Sequence, residues 1–200
     1  VWNSLPSQLA KENRKFVYQL VRPGARAREY EDAILWLEQA GLVNKVLLSK
    51  APKLPLKAYD DLGTFKLYTL DLGVLRKLSE LDASILLLPT PAYTEYKGAL
   101  AENYILQSLT AQFQMPFRYW TSGNKAEVDF LLQYINQIYP IEVKADQNIQ
   151  GKSLIQYEKL FQPACRIRYS MLNLKQDGNL LNIPLFLADK TRELLGVINV

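Results

Sequence analysis

Two runs of alternating side chains in residues 126–146 constrain the fold of this chain more than any other stretch. The sequence around Asp129 and the sequence around Glu142 both alternate between apolar and charged residues. Alternation with a period of two is typical of a strand whose two faces differ. Asn136 lies between the runs and favours a tight turn. The segment is therefore predicted to form a β-hairpin.

The turn determines which residues of the two strands lie opposite one another. If residues 135–136 form a two-residue turn, Asp129 lies opposite Glu142. Side chains in opposed positions are about 4.5–5.5 Å apart at Cβ, so two carboxylates there repel each other unless a cation is nearby. Lys144 shares the face of Glu142 because it is two residues further along the strand. This register predicts a compact group of three charged side chains, which a slip of one residue would break.

The chemistry of this group has two interpretations. Carboxylate oxygens at such spacing suit Mg²⁺ or Mn²⁺, which would polarise a phosphodiester and lower the pKa of a bound water. The ammonium group of Lys144 would then orient the water or neutralise developing charge. The alternative is a surface hairpin in which Lys144 forms ordinary ion pairs with Glu142 or Asp129.

A third carboxylate comes from a predicted helix over residues 94–112. Glu102 lies on the apolar side of this helix. A carboxylate in that position is costly to bury unless it is paired or bound to a metal. Glu102 is therefore a candidate site residue, and Asn103 beside it is a candidate assisting residue. The alternative is a glutamate at the edge of the core that pairs with a lysine or arginine.

These charged residues resemble a nuclease signature. Asp129, followed thirteen residues later by Glu142-Val143-Lys144, resembles the D…(D/E)xK signature of the PD-(D/E)XK nuclease superfamily. Glu102 matches the acidic residue that an earlier helix often supplies in that superfamily. The resemblance implies hydrolysis of phosphodiesters, with DNA as the substrate. It makes Glu102, Asp129 and Glu142 ligands of Mg²⁺ or Mn²⁺, and it makes Lys144 a catalytic residue that positions water or stabilises the transition state.

Most of the chain also resembles the uncharacterised domain found C-terminal to the ATPase module of many bacterial and archaeal AAA-type ATP-binding proteins. The matching stretches are GARAREYEDAILWLEQAGLV, PLKAYDDLGTFKLYTLDLGVL, KGALAENYILQSL, YWTSGNKAEVDFLL and PIEVKA. The resemblance implies an upstream ATPase domain in the same polypeptide as a partner. ATP would bind in that absent part, because this sequence has no GxxxxGK[ST] phosphate loop. The alternative function is a non-catalytic DNA- or protein-binding regulatory domain of the ATPase.

The fold predicted from these patterns is α/β with two domains. Pro89-Thr90-Pro91 marks the expected boundary, which separates residues 1–90 from residues 91–200. The first domain reads as helix, strand, connection and strand over residues 28–70, which is similar to a winged-helix module; such modules bind DNA or act as protein–protein spacers. The second is predicted to be a restriction-endonuclease-like (PD-(D/E)XK) mixed sheet flanked by helices.

Composition excludes several kinds of site. The 200 residues include no histidine and one cysteine, Cys165, which argues against a zinc site, histidine catalysis and an intrachain disulfide. No run approaches the roughly 18 apolar residues of a membrane span. Because no signal peptide is visible either, we expect a cytoplasmic protein with no membrane partner. The chain begins at Val1 without methionine and is expected to be an excised piece.

Basic residues are concentrated near the N-terminus. Residues 1–30 carry six basic and two acidic side chains, which accounts for the whole net charge of +4. The segment could track phosphates, and the alternative is a solvated surface with internal salt bridges. The basic residues are Lys11, Arg14, Lys15, Arg22, Arg26 and Arg28.

Four local patterns complete the prediction. Alternation over residues 13–21 favours a short strand or extended segment. In the predicted helix 28–39, Trp36 is expected in the core and not in a stacking platform. Ser153 is expected to cap a helix over residues 153–160, and residues 185–187 are expected to form a strand.

Overall fold

The structure is a computed structural model that describes residues 1–82, 91–123, 126–145 and 151–198. The described strands are β1 Val43–Ser49, β2 Asp60–Thr69, β3 Arg118–Thr121, β4 Glu127–Tyr134, β5 Gln137–Val143, β6 Arg166–Ser170, β7 Lys175–Asp177 and β8 Leu180–Pro184. The described α-helices are α1 Leu5–Leu9, α2 Glu31–Gln39, α3 Leu72–Leu78, α4 Pro91–Phe113, α5 Lys152–Phe161 and α6 Thr191–Ile198. Pro89 and Thr90 of the predicted boundary and residue 146 of the predicted hairpin segment lie outside the described residues.

In this part of the chain, eight strands form one mixed sheet in the order β2-β1-β3-β4-β5-β6-β8-β7, and helices flank it. The prediction of an α/β chain with a mixed sheet flanked by helices is confirmed at this level. β1 pairs in parallel with β3, so that Leu47 lies beside Arg118. Both strands from residues 1–90 therefore belong to the same sheet as the strands from residues 91–200. The division into two domains stays a prediction.

The hairpin of β4 and β5 has the predicted register. Tyr134 pairs with Gln137 on either side of the turn. The φ angles are +45° at Ile135 and +57° at Asn136, and both lie in the left-handed region that a two-residue type I′ turn requires. The two carboxylates that were predicted to face each other lie just beyond the last ladder pair, at the open end of the hairpin.

A β-bulge in β4 interrupts the alternation that the sequence suggests. Two steps along β3, from Arg118 to Trp120, correspond to three steps along β4, from Leu131 to Val128. Val128 and Leu131 consequently pack in one hydrophobic cluster, with α5, while Phe130 packs in the cluster that contains α4. Val128 and Phe130, which a regular alternation would place on one face, therefore pack in different clusters. Bulges of this kind re-aim side chains, and here the extra residue falls beside Asp129.

Two helix ends follow the chemistry of their sequences. The Asp71 carboxylate accepts a hydrogen bond from the Val74 amide at 2.9 Å, and it caps the start of α3. Gly41 follows α2 with a φ of +69°, and the Leu42 amide donates to the Leu37 carbonyl at 2.9 Å. This is the expected helix end at a left-handed glycine.

The strand predicted over residues 13–21 is wrong, but the alternative of an extended segment holds before Tyr18, where Val17 is extended and the Phe16 amide donates to the Phe65 carbonyl of β2 at 2.8 Å. Its Tyr18–Leu20 portion forms a 3-10 turn. The buried side chain of Gln8 bonds to both backbone groups of Val17, accepting from its amide and donating to its carbonyl at 2.9 Å each. A side chain therefore satisfies the backbone here in place of a strand partner.

Three other local predictions are also wrong. Trp36 is 63% exposed because it lies on the opposite side of α2 from the buried Ile34 and Leu37. The N-cap of α5 is Gly151 and not Ser153. Leu185–Lys190 forms a 3-10 turn directly after β8 ends at Pro184.

Among the described residues, no helix combines the length and the apolarity that a bilayer span requires.

The hairpin turn gives a first test of this arrangement. Ile135 is a β-branched, exposed residue at positive φ, a conformation that costs about 1–3 kcal/mol for such side chains and that asparagine tolerates. We expect Ile135→Asn to raise the free energy of unfolding by about 1 kcal/mol in urea denaturation. Ile155→Asn, which changes an exposed isoleucine within α5, is the control and gives no gain. An unchanged or lower midpoint for Ile135→Asn would contradict the turn.

Candidate active site

Acidic and basic side chains from distant parts of the sequence come together at the open end of the β4–β5 hairpin, beside α4. The acidic members, called here the carboxylate cluster, are Glu102, Glu127, Asp129 and Glu142. The basic side chains paired with them are Arg14, Lys66 and Lys144. All four residues predicted from the sequence are present in this group.

Glu102 projects from α4 and has a partner on each oxygen. Its side chain is buried, with 3% of the residue exposed. Oε1 lies 2.8 Å from Nη1 of Arg14, and Oε2 accepts a hydrogen bond from the Tyr68 hydroxyl at 2.8 Å. Burial raises the pKa of Glu102 to about 7, with a further contribution from Asp129, although Arg14, Lys66 and Tyr68 oppose the shift. Glu102 therefore exchanges a proton near neutral pH.

Asp129 lies at the centre of the carboxylate cluster. Its Oδ2 accepts a hydrogen bond from the backbone amide of Val143 at 2.7 Å, which ties the end of β4 to β5. Its charge contributes to raising the pKa values of Glu102, Glu127 and Glu142, after burial in each case. Asp129 is thus the carboxylate whose charge acts on all three others.

Glu142 has one carboxylate oxygen with an ion-pair partner and one without a partner among the described residues. The residue is 2% exposed, and its Oε1 lies 3.0 Å from Nζ of Lys144. Burial raises the pKa of Glu142, and Lys144 opposes this shift. Oε2 is buried without a hydrogen-bond partner among the described residues. Because buried polar atoms normally have partners, this oxygen marks a position where a donor or cation fits.

Glu127 and Lys66 form a second ion pair that sequence reasoning missed. Lys66 is fully buried on β2, pairs with Glu127, and lies with its ammonium nitrogen 4.7 Å from the centre of the Tyr119 ring. Burial raises the pKa of Glu127, and Lys66 is the main opposing influence. A lysine inside the apolar run FKLYTL was the available signal, because such a residue needs an acidic partner when it is buried.

Arg14 is the other missed residue, since the sequence analysis treated it only as part of a basic segment. Its side chain is 15% exposed and its guanidinium faces Glu102. Burial lowers the pKa of Arg14, but the charges of Glu102, Tyr68 and Asp129 outweigh it, so that the net direction is upward. Part of the N-terminal basic segment therefore points into the protein, where it cannot track phosphates.

Asn103 has a structural role in this arrangement. It accepts a hydrogen bond from the Thr69 amide at 2.9 Å and donates to the Thr69 carbonyl at 3.3 Å. The side chain thus fastens α4 to the end of β2. Because Asn103 follows Glu102 in sequence, these hydrogen bonds also help to position Glu102. They occupy the side-chain amide of Asn103.

The carboxylate oxygens of the cluster are the kind of ligand that a hard divalent cation prefers. The described side chains are nevertheless not arranged around one position for such a cation. The cluster consists of carboxylates, which Mg²⁺ and Mn²⁺ prefer, and Glu142 offers an unpartnered oxygen. In the described ranges, no three histidine, cysteine, aspartate or glutamate side chains are arranged to hold a metal ion. The oxygens of Glu102 are instead engaged with Arg14 and Tyr68.

Comparison with known families gives two matches, one on each side of the predicted boundary. Residues 97–186 match the family described as Domain of unknown function (DUF4143), and residues 1–85 match Domain of unknown function (DUF8612). The chain also resembles the crystal structure of protein VC1899 from Vibrio cholerae, with 14% sequence identity and a TM-score of 0.33. That likeness covers 98% of this chain and 49% of the other, so the chain spans about half the length of VC1899. Comparison with curated proteins finds no significant match.

The buried acid Glu102 predicts a pH dependence of stability. Its pKa rises from an ordinary 4.5 to about 7 on folding, so the folded protein holds this proton more tightly than the unfolded chain. The stability that protonation of Glu102 contributes is therefore lost as the pH rises from 4.5 to about 7, by up to about 3 kcal/mol. Glu102→Gln lacks this titration. We expect the difference in unfolding free energy, wild type minus variant, to fall between pH 4.5 and 7.5 in urea denaturation.

The control for this measurement is Glu12→Gln, which removes an exposed glutamate from the N-terminal segment. Its difference from the wild type reports the general effect of removing one glutamate from the chain. A difference for Glu102→Gln that stays constant or rises across the window would contradict the assignment of a raised pKa.

Proposed function

We propose that residues 91–200 form a restriction-endonuclease-like, PD-(D/E)XK domain that hydrolyses DNA phosphodiester bonds with Mg²⁺ or Mn²⁺. The observation that carries this proposal is the meeting of Asp129, Glu142, Lys144 and Glu102 in one buried charged group. The sequence suggested Asp129, Glu142 and Lys144 from their spacing and Glu102 from its apolar helix face, and the four come from a hairpin and a separate helix. The Lys144–Glu142 ion pair of the alternative interpretation is present, but an ordinary surface pair does not account for a glutamate that is buried with one oxygen unpartnered.

Each residue has a distinct role in the proposed reaction. Asp129, Glu142 and Glu102 would hold the divalent cation, which when bound polarises the phosphodiester and lowers the pKa of a water. Asp129 is oriented for this role by the Val143 amide at 2.7 Å. Glu102 is positioned by the Tyr68 hydroxyl.

Lys144 completes the proposed site. Its ammonium nitrogen lies 3.0 Å from Glu142 Oε1, so its position follows that of a proposed metal ligand. From there it would orient the attacking water or neutralise charge that develops on the phosphate. Lys144 keeps partial exposure, which leaves it accessible to a substrate.

Metal binding tests this proposal before cleavage does, because cleavage also depends on finding the right DNA. We expect Mn²⁺ to bind the wild type in the millimolar range by calorimetry, and Asp129→Asn to bind at least tenfold more weakly. Asp177→Asn, which alters an exposed aspartate on β7, is the matched control and should bind as the wild type does. The titration is repeated with duplex DNA present. Equal binding by Asp129→Asn and the wild type in both titrations would refute a metal site at the cluster.

A second function, in which residues 1–90 act as a winged-helix-like regulatory module, is favoured by the surface of α2. Leu35 and Trp36 of α2 and Leu62 of β2 are exposed. Leu35 and Leu62 line a groove of about 440 Å³ whose charged lining residues are three acidic side chains and one basic side chain, namely Glu31, Asp32, Glu38 and Lys45. Exposed apolar side chains inside an acidic rim suit a basic, amphipathic protein segment and disfavour DNA. We propose that this partner belongs to the ATPase domain expected upstream.

Tryptophan fluorescence tests the second function, because Trp36 is exposed on α2 whereas Trp2 is half-buried and Trp120 is buried. A synthetic helical peptide of leucine and lysine is expected to shift this emission to the blue, with weaker binding at high salt because the groove is acidic. Leu62→Ser should reduce the affinity at least fivefold without unfolding the protein, since Leu62 is exposed. A leucine and glutamate peptide is the control. Equal binding of both peptides, or a similar shift with duplex DNA, would rule out the proposed partner chemistry.

A further inference from the structure

Arg14 brings a positive charge to the place where a metal ion would be needed. Its Nη1 lies 2.8 Å from Glu102 Oε1, and the nearby charges that act on it include Asp129 and Glu127. Two of these three carboxylates are proposed metal ligands. A guanidinium group in this position compensates the negative charge of the carboxylates, which a divalent cation would compensate by coordinating them.

The fold makes specific room for this guanidinium. Gly98 lies on α4, one turn before Glu102, and an added Cβ there would lie 2.9 Å from Nη2 of Arg14. That distance is too short for a real contact, so any larger residue at position 98 would displace the guanidinium. A glycine within a helix costs about 1 kcal/mol relative to alanine, so the space at Gly98 comes at the expense of helix stability.

The backbone around Arg14 is held in an uncommon conformation. Arg14 has a φ of +49°, in the left-handed region that arginine rarely adopts. Gln8 anchors the chain three residues later through its two hydrogen bonds to Val17. A strained residue whose flanks are fixed by other contacts is a common feature of functional segments.

A purely structural ion pair explains this arrangement less well. The Nε atom of Arg14 is buried without a partner among the described residues, so the guanidinium is incompletely hydrogen-bonded where it lies. A structural arginine normally satisfies its fork of donors when it is buried. The position of Arg14 is thus explained by the charge of the carboxylates around it.

We propose that Arg14 is an internal cation that closes the carboxylate cluster, and that its guanidinium must withdraw before Glu102 and Asp129 can hold a divalent metal. This proposal rests on the proposed function, because it describes how the same site is regulated. In the closed state, which is the state of this structure, the two oxygens of Glu102 are bound by Arg14 and Tyr68. This explains why the carboxylates lie in one cluster without surrounding a metal position in the described part of the chain. Metal and Arg14 therefore compete for the same ligands.

The test uses two glycine-to-alanine variants that differ only in what the new methyl group meets. Gly98→Ala places a Cβ against Arg14 and leaves every charge in the molecule unchanged. Gly196→Ala, in α6, places the same group where nothing lies within 4 Å. Both changes replace a helical glycine, so Gly196→Ala controls for the general effect on helix stability. Arg14→Gln is a third variant, which removes the charge directly.

Mn²⁺ affinity is measured by calorimetry for the wild type and the three variants. We expect Gly98→Ala and Arg14→Gln to bind at least tenfold more tightly than the wild type, and Gly196→Ala to match the wild type. Adding Asp129→Asn to Gly98→Ala should abolish the gain. Hydrogen exchange of residues 10–17 gives a second reading that does not depend on activity. It should rise in Gly98→Ala without metal and in the wild type when Mn²⁺ is added.

The outcomes separate this proposal from the proposed function. If Gly98→Ala, Arg14→Gln and the wild type bind Mn²⁺ equally, and Asp129→Asn loses binding, the metal site stands and the role of Arg14 is refuted. Weaker binding by Gly98→Ala or Arg14→Gln also overturns it, because Arg14 would then support the site. If none of these proteins binds Mn²⁺, with or without duplex DNA, the metal site itself fails and the proposal fails with it.

Discussion

The burial of acidic side chains at the end of the hairpin is the constraint on which the rest of this structure depends. Glu102 and Glu142 are almost fully removed from solvent, and an unpaired buried charge costs several kcal/mol. The chain meets this cost with cations from three separate places, namely the N-terminal segment, β2 and the end of β5. Charge neutralisation thereby adds to hydrophobic packing that already joins these elements, because Leu9, Tyr68 and Val143 lie in one cluster with α4.

The sequence predicted the hairpin well because the information for it is local. A two-residue turn and a period of two are enough to fix which residues of β4 and β5 pair. The bulge at Asp129 could not be predicted in this way, because it depends on how β4 pairs with β3. The burial of Trp36 was misjudged for a similar reason. An apolar stripe identifies a buried face only when the helix has few apolar residues outside it, and α2 carries Leu35 and Trp36 on its exposed side.

The basic side chains that pair with the carboxylate cluster could not be predicted from local sequence patterns. Lys66 and its partner Glu127 are 61 residues apart, and Arg14 meets Glu102 across an even longer stretch of chain. Periodicity carries no information at such separations. The sequence does show which carboxylates need compensation, because Glu102 lies on an apolar face. It therefore predicted that Glu102 would need a cation or a metal, and it left open which of the two occupies the position.

The proposed nuclease and regulatory functions are compatible because the N-terminal half contributes residues to the candidate site. Residues 1–90 supply Arg14, Lys66 and Tyr68 to the cluster, so the predicted boundary near residue 90 does not separate the candidate site from the first half. Phe16, two residues after Arg14, packs in the same cluster as Ile34 of α2. A partner bound at the α2 surface would therefore press on the elements that hold Arg14 in place. This contiguity gives a physical route by which a regulatory contact can open or close a carboxylate site in the other half of the chain.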